Sequence, residues 1–103
     1  MLYSDIVSHY QRVPKNVHTV PIDGREPKWF RVSVHHGGVY ISAGTTPHLN
    51  SNIRGERLLI ADELDTMISL YQRRKKGDFV SREASCVTQN QVYWYGIFND
   101  LGL

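Results

Sequence analysis

The sequence predicts an α+β domain, a small antiparallel sheet packed with an N-terminal helix and a C-terminal helical region. Three observations carry this reading. Two alternating apolar and polar runs between Trp29 and Gly44 flank a Gly37-Gly38 pair, the pattern of a β-hairpin. Leu64, Met67, Ile68 and Tyr71 recur at the spacing of one helix face. The 103 residues are 41% apolar and 21% charged, and a folded chain of this length buries about 65% of its extended surface, enough for one core without staples. One domain spanning 1–103 follows, because no repeat or low-complexity tract interrupts the chain.

At the start, Leu2, Ile6 and Tyr10 recur every four residues, Ser4 is placed to cap, and Pro14 ends the pattern, so a helix is predicted over about 4–12. Val17 to Ile22 reads as an extended segment near 17–22, with Val20 and Ile22 on one side. Pro21 lacks an N–H and assigns it to a sheet edge, and Asp23-Gly24 suits a tight turn. In the hairpin over 29–44, a turn at Gly37-Gly38 sets His36 opposite Val39, His35 opposite Tyr40, Val34 opposite Ile41 and Ser33 opposite Ser42. One face then collects Phe30, Val32, Val34, Val39, Ile41 and Ala43. The other collects Trp29, Arg31, Ser33, His35, Tyr40 and Ser42, a mixture suited to meeting a partner.

Thr45 to Gly55 is a loop by composition, long enough to be functional or mobile. A short apolar step, Leu58-Leu59-Ile60, leads into a helix over 62–76 that Asp62 can cap and Gly77 ends. Beyond it two readings compete. In the helical one, Ser81 caps a short helix over 81–87, Thr88 and Gln91 form a capping box, and Trp94, Ile97, Phe98 and Leu101 make a stripe on a helix over 89–101. The alternative pairs Phe79–Val87 with Val92–Phe98 as a hairpin, which sets Arg82 beside Ile97 and Glu83 beside Gly96 and muddles both faces. The helical reading is preferred.

Several classes drop out on arithmetic. Cys86 is the only cysteine, so no disulfide forms within the chain and a cytoplasmic setting is expected. No apolar run approaches a membrane span, and Ser4, Asp5, Ser8 and His9 occupy the N-terminus where a signal peptide would be greasy. Asp62, Glu63 and Asp65 sit where a helix dipole alone accounts for them. His35 and His36 point to opposite sides of a regular strand and do not make a two-ligand metal site. Glycines between a strand and a helix, as phosphate and dinucleotide loops need, are lacking. No cofactor and no metal is expected, and a binding role is favoured over an enzymatic one.

Two surfaces then compete for function. Between Gln72 and Arg82 stand Arg73, Arg74, Lys75, Lys76 and Arg82 against one acid, Asp78, a local excess that fits phosphates although the last turn of a helix also favours cations. The helices 81–87 and 89–101 together resemble a compact helix-turn-helix, without the glycine often found in its turn. Gln89, Asn90 and Gln91 would then offer amides to adenine edges. This predicts a small module that binds DNA or RNA. The second surface is the sheet face of Trp29, Arg31, His35 and Tyr40, which with the surplus aromatics predicts a homodimeric interaction or ligand-binding domain. A third reading makes the same face a metal-independent nuclease, with His35 as acid or base, Arg31 stabilising an anion and Trp29 as stacking floor.

Overall fold

The computed structural model describes residues 1–103. The chain runs through α1 (Tyr3–Tyr10), β1 (Lys15–His18), β2 (Trp29–His35), β3 (Gly38–Ala43), β4 (Arg57–Leu59), a 3-10 turn (Ala61–Glu63), α2 (Leu64–Lys75), α3 (Ser81–Val87) and α4 (Gln91–Asp100). The strands form a single antiparallel sheet in the order β1-β2-β3-β4, each paired with its neighbour in sequence. The α+β architecture predicted from the sequence is the one observed, and residues 81–87 and 91–100 form two helices rather than a hairpin.

The β2–β3 hairpin turns one residue earlier than expected. His36 and Gly37 form the turn, with φ of 49° and 74°, both left-handed as a type I′ turn requires. His35 therefore pairs with Gly38, Val34 with Val39, Ser33 with Tyr40 and Val32 with Ile41. Packing rather than φ explains Gly38, because a Cβ there would meet Leu58 Cδ1 at 2.9 Å and Tyr40 Cε1 at 3.2 Å. The slip is two residues in relative register, which preserves parity, so every side chain keeps its predicted face.

Other boundaries also move. The predicted strand near 17–22 lies instead at Lys15–His18. Thr19 N–H still donates to the Lys28 carbonyl at 2.9 Å, but Pro21 has no N–H to offer and Arg74 takes the Val20 carbonyl at 2.6 Å, so the chain leaves the sheet there. The apolar step at Leu58 and Leu59 becomes the fourth strand, antiparallel to β3. None of the expected N-caps forms. Ser4 lies inside α1, where Asp5 accepts from Leu2 N–H at 2.7 Å, and Asp62 is absorbed into the 3-10 turn. Ser81 is the first residue of α3. Thr88 Oγ1 accepts from Asn90 N–H at 3.0 Å, a local turn that delays α4 to Gln91.

Nineteen buried residues form the core. The sheet contributes Val17, Phe30, Val32, Val39, Ile41 and Leu59, and α1, α2 and α4 supply Ile6, Tyr10, Met67, Trp94, Ile97 and Phe98. Helix α4 lies against β1 at Gly96, where a Cβ would come within 2.7 Å of the His18 carbonyl and 2.8 Å of the Phe30 ring. Polar tips of the aromatics at the core find partners, with the exception of the Tyr95 hydroxyl. Trp94 Nε1 donates to Glu63 at 3.1 Å, Tyr10 donates to Asp100 at 2.7 Å, and Tyr3 accepts from Val39 N–H while donating to the Leu59 carbonyl. All helices gather on this side, so the opposite sheet face is left to polar and aromatic side chains.

Candidate functional site

The period of two in β1, β2 and β3 sends Asn16, His18, Trp29, Arg31, Ser33, His35, Tyr40 and Ser42 away from the core. They line one continuous face. At one end, Trp29 is flanked by His18, with ring centroids 5.0 Å apart and nearly perpendicular, and by His48, at 6.4 Å and 31°. His48 comes from the loop read as functional or mobile. That loop is pinned back onto β2, because Trp29 N–H donates to the Leu49 carbonyl at 2.8 Å and Ser51 N–H donates to the Trp29 carbonyl at 2.8 Å. Asn50 ties the loop internally, accepting from Thr46 Oγ1 at 2.8 Å and donating to the Thr46 carbonyl at 2.9 Å. Gly44 permits the close approach, since a Cβ there would fall 2.5 Å from the Trp29 carbonyl oxygen.

In the middle of the face, Arg31 donates to Thr45 Oγ1 at 3.3 Å, and Asn16 holds the same threonine from both its backbone N–H and its hydroxyl. Arg31 has no carboxylate partner among the ion pairs of the structure. It therefore keeps donors free for an anion.

At the far end, His35 and Tyr40 sit on diagonal rather than opposite positions, yet their rings approach to 5.4 Å. Glu56, which the sequence did not single out, reaches across from just before β4. Its Oε2 lies 3.0 Å from His35 Nε2 and accepts from Ser33 Oγ at 3.2 Å. Ser33 Oγ is also 3.4 Å from the same His35 nitrogen. A serine, a histidine and a carboxylate thus meet, but both oxygens converge on one ring nitrogen. A nucleophilic relay needs the hydroxyl on one nitrogen and the carboxylate on the other. General acid–base cleavage needs the two groups on either side of the scissile bond. The cluster instead has the geometry of a cross-strand pin, ionic only when His35 is protonated.

The C-terminal basic residues are dispersed rather than gathered. Arg73 forms a fork onto Glu83, at 2.7 and 2.9 Å, and also reaches Asp78 at 3.3 Å. These carboxylates hold the guanidinium more basic than usual, and Arg73 in turn holds the Glu83 carboxyl below its ordinary range. Arg74 turns inward, over the Tyr95 ring at 4.8 Å. Lys75 lies over the Tyr71 ring at 5.4 Å, and Lys76 and Arg82 face solvent. Helix α4 cannot offer a reading face along its length, because Trp94 through Phe98 are all buried. Of its leading amides, Gln89 is exposed, Asn90 accepts from Arg57 at 3.3 Å, and Gln91 lines a groove with Arg74.

No helix is long and apolar enough to cross a membrane. No protein-family model, curated protein or solved structure matches the chain. The reading of function therefore rests on the geometry of these surfaces.

Proposed function

We propose that the protein is a single-stranded nucleic-acid-binding module that works through its open sheet face rather than through its C-terminal helices. The observation that supports it is the composition of that face. Trp29 and Tyr40 lie about 13 Å apart along the strands, four residues at ~3.3 Å each, with Arg31 between them. Unstacked bases pack on aromatic and imidazole rings without regard to sequence, while guanidinium groups hold the intervening phosphates. His18 and His48 beside Trp29, and His35 beside Tyr40, widen each platform. A duplex leaves these rings without a partner, because its bases are already stacked on one another.

The test is fluorescence anisotropy of labelled oligothymidylate, oligouridylate and a random duplex at two salt concentrations. Single strands are expected to bind with a log–log salt slope of about −0.7 per neutralised phosphate. Tyr40→Ala and Trp29→Leu should each weaken binding by about tenfold or more, the loss of one base stack at ~1–3 kcal/mol. Arg31→Ala should lower both affinity and salt slope. The combined replacement of Lys75, Lys76 and Arg82 by Ala should change little. If that triple variant abolishes binding while Tyr40→Ala does not, the sheet face is not the site. If single strands fail to bind at low salt and the protein sediments as a dimer, the face is an interface with a second copy.

A further inference from the structure

A groove of about 380 Å³ separates the 19–28 segment from the ends of α2, α3 and α4, on a different part of the surface from the Arg31/Ser33/Tyr40 face. It falls within the ~300–1,000 Å³ range of small-molecule sites. Three features distinguish it from an ordinary crease. Its rim gathers exposed apolar side chains: Phe79 is 95% exposed, Ile22 69% and Val92 44%. Tyr95 forms part of its wall, is only 4% exposed, and has a hydroxyl with no hydrogen-bond partner. Arg74 lies across that ring with its guanidinium 4.8 Å from the centroid and a single bond, to the Val20 carbonyl at 2.6 Å.

The charges around the groove indicate what it takes. Asp23 is paired with Arg25 at 2.6 Å, and Asp78 is held by Arg73 at 3.3 Å. Among the remaining charged lining residues, Lys28 and Arg74 are cationic and lack a carboxylate partner, and Glu26 is the one unpaired acid. Glu26 is shared with the hollow beside His18, Trp29 and His48. Arg74 is therefore a cation without a carboxylate, beside a phenol whose proton has no acceptor. Such a hydroxyl costs stability wherever it is enclosed without a partner, and burial pushes its ionisation up while Arg74 pulls it down. It is a donor at neutral pH.

We propose that this groove binds a small monoanion with an apolar body, its carboxylate accepting from Arg74 and from the Tyr95 hydroxyl and its body packed against Val20, Val80 and Phe79. Binding at the enclosed hydroxyl requires Arg74 to exchange its bond to the Val20 carbonyl for one to the ligand. The apolar rim accounts for the body and the unpaired guanidinium for the charge. A neutral ligand of the same shape leaves Arg74 unanswered, and a cationic one meets it directly.

The experiment is an amide-resolved NMR titration of the full chain with 2-naphthoate, 2-naphthol and 2-naphthylmethylamine. Naphthoate should bind saturably and shift the amides of Val20, Ile22, Val80, Ser81 and Tyr93, at least tenfold tighter than naphthol, with the amine weakest. Tyr95→Phe removes only the unpartnered oxygen. It should raise the melting temperature of the free protein and weaken naphthoate by about tenfold while leaving naphthol unchanged. Phe79→Ser, at an exposed position that does not bear on folding, should weaken both ligands. Equal binding of naphthoate and the amine, shifts confined to other residues, or a Tyr95→Phe variant that binds naphthoate as the parent does would each overturn the proposal. Sheet-face variants such as Tyr40→Ala should leave this titration unchanged, so the two sites stand or fall separately.

Discussion

At the scale of single residues, the fold depends on places where a side chain is absent as much as on those where one is present. Gly96 lies mid-helix, where glycine is unfavourable by about 1 kcal/mol relative to alanine. Nothing in the apolar pattern of α4 marks it as needed. It is required because α4 rests on the backbone of β1, with the His18 carbonyl and the Phe30 ring inside the space a methyl would occupy. Backbone on one side and an enclosed aromatic on the other leave little room to give. Gly96→Ala is expected to improve intrinsic helix propensity and still lower stability by about 2–3 kcal/mol, the cost of overpacking a dense interface. Urea unfolding of the variant measures this, and a neutral or raised midpoint would mean that α4 can slide on the sheet. His18 and Trp29 lie over the other side of the same strands, so a displaced α4 should also disturb the stacking of their rings.

At the scale of elements, the parts legible in the sequence were those fixed by local pattern. The alternation in 29–43 assigned every side chain to its face, and the 64–71 stripe placed α2, because each rests on a short-range period. The turn register was not legible, since Gly37-Gly38 and His36-Gly37 both satisfy the loop-length rule. The choice was made by the packing of Leu58 and Tyr40 against Gly38, a contact 20 residues away in sequence for Leu58. Glu56 escaped notice for the same reason, as a loop residue whose role comes only from the strand that follows it. The basic run is less uniform in space than in sequence, because Arg73 forks onto Glu83 while Arg74 and Lys75 lie over the Tyr95 and Tyr71 rings. The turn gives a direct check. His36 holds φ of 49°, a conformation that asparagine adopts more readily, so His36→Asn should raise the unfolding free energy by about 0.5 kcal/mol. Gly37→Val should lower it by about 1–2 kcal/mol, the strain of a side chain in the left-handed region. An unchanged unfolding free energy in Gly37→Val would mean that the turn does not hold Gly37 in the left-handed region.

For the whole molecule, the buried phenols set a limit on alkaline stability. Burial raises the ionisation of Tyr3, Tyr10, Tyr71 and Tyr95 above the ordinary value of 10.0, and Tyr10 is furthest displaced because its hydroxyl also donates to the Asp100 carboxylate. These residues join α1, α2 and α4 to one core, so their protonation is a property of the assembled fold. Above pH about 10 the unfolded chain releases phenolic protons that the folded chain retains. The native state then binds more protons than the unfolded one, and stability falls as pH rises, by up to ~1.4 kcal/mol per pH unit for a group as enclosed as Tyr10. Below that window the contribution is constant. On the acid side, Asp23 is held low first by the Arg25 backbone N–H and Glu83 by the Arg73 guanidinium, which favours the fold above the carboxylate range and is lost as pH falls. Both are exposed and screened by salt, so the acid limb is shallow. Urea midpoints collected between pH about 8 and 12 should therefore be flat and then fall steeply, with tyrosinate absorbance rising cooperatively at unfolding. Tyr10→Phe should reduce the steepness, because it removes the phenol furthest displaced by burial and by the Asp100 carboxylate. A variant with an unchanged alkaline limb would assign the limit to the other three tyrosines.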